Sequence, residues 1–168
     1  MRRLSPGSPE PLGLTLRPGG ANLAVISAHA QSIELCLFDA AGEAELERIA
    51  LPERTGDIFH GFVHGLEAGT RYGLRARGPW DPGAGQLFNP AKLLVDPYAT
   101  ALDRRFALHP ALRGTAADGR SREETDSAAF VPKAIATAPA PGPAVPRLRV
   151  PWRDTVIYEM HVRGFSQA

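Results

Sequence analysis

Side chains able to do chemistry are few in this sequence and stand far apart. Glu159, His161 and Arg163 alternate through an apolar run at 155–165, Asp96 and Asp154 flank prolines or turns, and His60 and His64 lie four residues apart. In a strand the two histidines share a face, yet no Cys, Asp or Glu stands near them at ligand spacing. No metal site is expected, and no cofactor. Cys36 is the only cysteine, which excludes an intrachain disulfide and a cysteine-based metal site. Set in Ser32-Ile33-Glu34-Leu35-Cys36-Leu37-Phe38, it reads as a small, inert, half-buried thiol. Trp80 differs from all of these: it stands in a turn, between Gly78-Pro79 and Asp81-Pro82, with little apolar pattern around it.

The charge balance narrows the partners. With 19 basic and 18 acidic residues the formal net charge is +1, and no basic stripe suggests a nucleic acid. A neutral polar partner fits better. Arg2 and Arg3 precede no apolar run, so neither a signal peptide nor a membrane span is expected, and the chain is read as cytoplasmic.

The elements that must position these groups are short strands. Gly (17) and Pro (16) make up about a fifth of the 168 residues, which favours strands and turns over long helices. Alternating or β-branched segments fall at 12–16, 22–27, 32–38, 57–63 and 70–77, with turns at Pro18-Gly19-Gly20 and Leu66-Glu67-Ala68-Gly69. Ile33, Leu35 and Leu37 share one face; Tyr72, Leu74 and Ala76 oppose Arg71, Arg75 and Arg77. Segment 44–51 also carries helix-favouring Ala, Leu and Glu, and its neighbours decide for strand. Such spacing predicts an immunoglobulin-like antiparallel β-sandwich. The expected organisation is a loose N-terminus at 1–11, the sandwich at 12–100, a loop and Pro-rich connector at 101–151, and at 152–168 the strand of a second unit, apolar as in a sheet buried on both faces.

Ser8-Pro9-Glu10-Pro11-Leu12-Gly13, Val25-Ile26-Ser27-Ala28-His29-Ala30, Tyr72-Gly73-Leu74-Arg75 before Gly78-Pro79, the loop 88–99 and the run 156–165 occur in an order that resembles the N-terminal part of bacterial glycogen debranching enzymes of the isoamylase type. The resemblance implies a carbohydrate-binding β-sandwich, then a (β/α)8 barrel hydrolysing α-1,6 branch linkages with an Asp nucleophile, a Glu acid/base and a second Asp on later barrel strands. Those strands have no counterpart in this sequence. Nor does any pair among Asp96, Asp154 and Glu159 have a sequence context that suggests an acid and a nucleophile held about 5–5.5 Å apart, as retention requires. The chain is therefore expected to hold no catalytic residue, to be inactive alone, and to have the catalytic barrel as a partner.

The partner implied is an α-glucan: glycogen, limit dextrin or a maltooligosaccharide. Glucan sites combine an aromatic platform with amide, lysine or carboxylate groups. Trp80 is the first candidate, and Asn89 and Lys92 are the second. Alternative parents are a branching enzyme or a maltooligosyltrehalose trehalohydrolase; a reading of another class is a free-standing glucan-binding or structural domain.

Overall fold

The computed structural model describes residues 2–138 and 150–165. In chain order its strands are β1 (Leu4–Ser5), β2 (Gly13–Arg17), β3 (Gly20–Ile26), β4 (Ser32–Phe38), β5 (Glu45–Ala50), β6 (Glu53–Thr55), β7 (Ile58–His64), β8 (Arg71–Arg77), β9 (Trp80–Asp81), β10 (Gln86–Leu87) and β11 (Ala134–Ile135). One antiparallel sheet runs β1-β7-β3-β2, with β6 also on β7; the other runs β11-β8-β4-β5; β9 and β10 form a separate hairpin. The two larger sheets face each other as the sandwich that the spacing predicts.

Alternation decides which residues meet between them. Leu23, Ile33, Leu35, Leu37, Ile49, Phe59, Val63, Tyr72 and Leu74 form the shared core. Each such aliphatic side chain contributes about 1.5–3 kcal/mol by leaving water. The helix-favouring composition of β5 is overridden by its ladder with β4, in which Leu35 lies opposite Ile49.

The second sheet is covered on its outer side as well, by the segment 88–133. Cys36 and Phe38 of β4 join Leu93 and Val131 of this segment in a second buried cluster. Gly73 allows the close approach: a Cβ there would stand 2.8 Å from the Leu93 side chain. Cys36 is wholly buried, where a half-buried thiol is expected from the sequence. Burial pushes its pKa up to about 11, and the Glu45 carboxylate adds to this.

Arg75 lies on the face opposite Tyr72 and Leu74, as the alternation predicts. That face is covered, and Arg75 is 1% exposed beneath the covering segment. Its guanidinium donates to the Pro90 carbonyl (2.9 Å), to Glu45 (3.0 Å) and to both oxygens of Asp126 (2.9 and 2.8 Å). Lys133, also buried, donates to the Val131 carbonyl (2.6 Å) and lies 4.7 Å from the Phe38 ring centre. On the other flank Asp96 accepts from the Tyr72 hydroxyl (2.8 Å) and the amides of Leu14 and Tyr98. Burial first, then this carboxylate, raises the Tyr72 pKa.

Two expectations beyond residue 100 change. Within the stretch expected to be loop and connector, Ala134 and Ile135 add an edge strand to β8, and Leu102 bridges to Ala134. Most of the Pro-rich run, with Pro139, Pro141 and Pro143, lies outside the described residues. In the run expected to be one strand, residues 155–161 pair with no described strand, and Val162–Phe165 makes a single helical turn, α1. β-branched residues favour a strand only where a neighbouring strand supplies the ladder.

Replacing Arg75 by Met keeps an apolar stem but releases Pro90, Glu45 and Asp126. The two carboxylates reach solvent, so the expected loss is moderate, about 2 kcal/mol in urea unfolding. An unchanged midpoint would contradict the role given to this residue. The acid limb follows from Asp126 and Asp103. Burial would raise both carboxyls, but the Ala128 amide and Arg75 outweigh it at Asp126, and Arg104 with the Lys133 amide outweigh it at Asp103, so both pKa values fall below the usual range. Groups depressed in the folded state stabilise it above the unfolded pKa of about 3.9 and lose that contribution as pH falls through the folded values. Unfolding midpoints measured against pH should therefore decline below about pH 4, with a smaller decline in Arg75→Met.

Candidate functional site

Trp80 sits in a hairpin. Asp81-Pro82 starts its turn, in which Asp81 Oδ1 accepts from the Ala84 amide (3.2 Å) and Gly85 adopts φ 73°, a left-handed conformation that suits glycine. β10 then returns along β9 with Leu87 opposite Trp80. Gly78 is required at the base, because a Cβ there would stand 2.6 Å from the Phe88 ring.

The covering segment contributes a second hairpin, with Thr115 bridged to Arg122 and the Glu123 amide bonded to the Gly114 carbonyl (3.0 Å). The two hairpins meet at Trp80. Its indole N–H donates to the Arg120 carbonyl (2.7 Å), and the Arg122 guanidinium lies 5.4 Å from its ring centre. Trp80 is half-buried.

Asn89 and Lys92 do not extend into solvent beside it. The Asn89 amide donates to the carbonyls of Gly114 (3.0 Å) and Glu123 (2.9 Å), and its oxygen accepts from the Ala91 amide (2.9 Å). Lys92 Nζ donates to the carbonyls of Ala111 (2.9 Å) and Thr125 (2.7 Å). Both side chains are buried. Asn89 clamps the neck of the 114–123 hairpin, and Lys92 fixes the chain on either side of it.

What these bonds hold open is a groove of about 470 Å³ between β10 and the covering segment. Ala76, Leu87, Phe88, Leu94 and Leu112 make its surface mostly apolar, with His29 and Gln86 as polar members beside Asn89 and Lys92. Leu87 and Leu94 are 53% and 46% exposed. Sequence reasoning passes over this groove, because its walls come together only when the covering segment folds back on the sheet. Elsewhere, His60 and His64 are committed to Thr55 and Ser5, and among the described residues no group of three His, Cys, Asp or Glu could hold a metal ion. No helix among them is long and apolar enough to cross a membrane.

Residues 11–99 match the family of carbohydrate-binding module 48, the isoamylase N-terminal domain. A glycogen debranching enzyme of Yersinia enterocolitica is 47% identical over 99% of this chain and 25% of its own length. One from Salmonella typhi is 42% identical with the same coverage. The chain thus spans a quarter of the length of these relatives. Among solved structures, the Group B Streptococcus pullulanase SAP superposes with a TM-score of 0.52 at 14% identity, covering 77% of this chain and 15% of that one. The catalytic module of the glycogen-degrading pneumococcal virulence factor SpuA gives 0.51 at 17% identity, covering 77% and 16%. At such identities the likeness establishes the fold.

Asn89→Ala leaves two carbonyls and one amide without their partner. A loss of about 2 kcal/mol is expected in urea unfolding, with faster hydrogen exchange at the Glu123 amide. Wild-type exchange there would contradict the clamp.

Proposed function

The chain belongs to the carbohydrate-binding module 48 (isoamylase N-terminal domain) family, and on that footing we propose that it is the N-terminal, non-catalytic module of a glycogen debranching enzyme, engaging α-glucan through Trp80. The observation that carries this reading is the 47% identity, along almost the whole chain, to a quarter of a glycogen debranching enzyme. The longer enzyme hydrolyses α-1,6 branch linkages in glycogen or limit dextrin, with its carboxylates on the barrel that follows. The apolar residues near the C-terminus support that continuation: Val156 is 89% exposed, and Ile157 and Tyr158 are exposed beside it. Such residues suit a strand that pairs within a larger sheet. The reading includes a cytoplasmic setting, which the single free thiol fits.

Trp80 brings an indole ring on a two-stranded hairpin whose orientation is held by the Arg120 carbonyl and Arg122. A fixed ring loses little freedom when a pyranose stacks on it. Asn89 and Lys92 act in this reading as supports of the site, since their polar atoms are bonded to backbone carbonyls. One observation favours a second reading, a module that only supports the barrel: the indole N–H is already engaged and Arg122 covers part of the ring.

Isothermal titration of the chain with maltoheptaose separates the two. The glucan reading expects measurable binding that weakens about tenfold in Trp80→Ala, the loss of roughly one stacked ring. Absence of binding by the unaltered chain would favour the supporting role.

A further inference from the structure

Leu87 lies directly opposite Trp80 across the β9–β10 ladder, and residues paired in this way project from the same face of a hairpin. Leu87 also lines the groove, together with Leu94, Leu112 and His29. Leu87 thus links the face that carries the indole to the groove. At about 470 Å³ the groove is sized for a small ligand. Its lining carries no carboxylate, and its one formal cation, Lys92, is bonded to two backbone carbonyls. A charged ligand would find only this buried ammonium, with two of its three N–H groups already engaged, whereas a neutral ligand with an apolar face and a hydroxyl edge would find mostly aliphatic side chains with His29 and Gln86 among them.

We infer that this groove is an extension subsite: a linear α-glucan stacked at Trp80 continues along Leu87 and Leu94, with His29 and Gln86 bonding its hydroxyls, so that the surface responds to chain length. This rests on the reading of the module as a glucan binder. Trp80 alone accommodates a short sugar; the groove adds affinity only for a chain long enough to pass Leu87. Leu87 and Leu94 are thus the residues that set length preference. Asn89 and Lys92 position the groove from beneath, without touching the sugar.

The test titrates maltose and maltoheptaose into the full chain and into Leu87→Asp, Leu94→Ser and Trp80→Ala, with thermal unfolding of each variant to verify the fold. The half-exposed leucines should be replaceable without loss of the fold, and the two substitutions are independent of each other. Maltoheptaose is expected to bind the unaltered chain about tenfold more tightly than maltose. Each leucine variant should lose most of that advantage while keeping its maltose affinity, and Trp80→Ala should weaken both sugars. Amide shifts at Ala76, Gln86 and Leu112 should respond to maltoheptaose and not to maltose. If both leucine variants bind maltoheptaose like the unaltered chain while Trp80→Ala does not, the groove inference is overturned and the glucan reading stands. If the unaltered chain binds neither sugar, both fall.

Discussion

A guanidinium with almost no access to water is the constraint on which the outer half of this structure depends. Arg75 cannot be left unpaired in the space it occupies, because an isolated buried charge is costly. The chain meets that demand from three places distant in sequence: Glu45 on the edge strand β5, two strands away across β4, the Pro90 carbonyl and Asp126. Two of the three belong to the segment 88–133. Pairing Arg75 therefore draws a long, irregular stretch of chain down on the sheet, where Leu93 and Val131 bury Cys36 and Phe38. Asp126, with a side chain 58% exposed, bears the pair's remaining contact with water. Its ion pair is accordingly weaker than a fully buried one.

The same movement builds the candidate site. With the segment in place, Asn89 and Lys92 reach carbonyls 19 to 34 residues further along and fix the 114–123 hairpin against β9 and β10. Trp80 gains its two contacts from that hairpin, and the groove gains Leu112 and Gly114 as its far wall. The side chains that look most like sugar ligands by type, Asn89 and Lys92, are buried and bonded to backbone carbonyls. The surface left for a ligand is the indole and a run of aliphatic residues.

How much of this can be read from the sequence depends on whether a contact is periodic. The strands β3, β4, β7 and β8 are legible because their apolar residues alternate, and Ile33, Leu35 and Leu37 do face the core as the period requires. The same rule is incomplete at Arg75. Alternation assigns it to the face opposite Tyr72 and Leu74, correctly, but cannot say that this face is covered. Segment 88–133 has no period because it is held by side chains bonding to backbone carbonyls, and such bonds leave no pattern in composition. Gly73 and Gly78, each with a bulky side chain against it, are the local signs that something approaches closely. In the run 155–161 the β-branched residues are plain to see, yet composition names a preference and a ladder makes the strand.

In the proposal made above, the face joining Trp80 to the Leu87–Leu94 groove is where this module holds an α-glucan. A crystal structure of the chain with maltoheptaose bound addresses it most directly. Successive glucosyl units are expected at the Trp80 ring and along Leu87 and Leu94, with hydroxyls near His29 and Gln86. A chain of sugar lying solely elsewhere, as along β2 and the exposed edge of the other sheet, would contradict it.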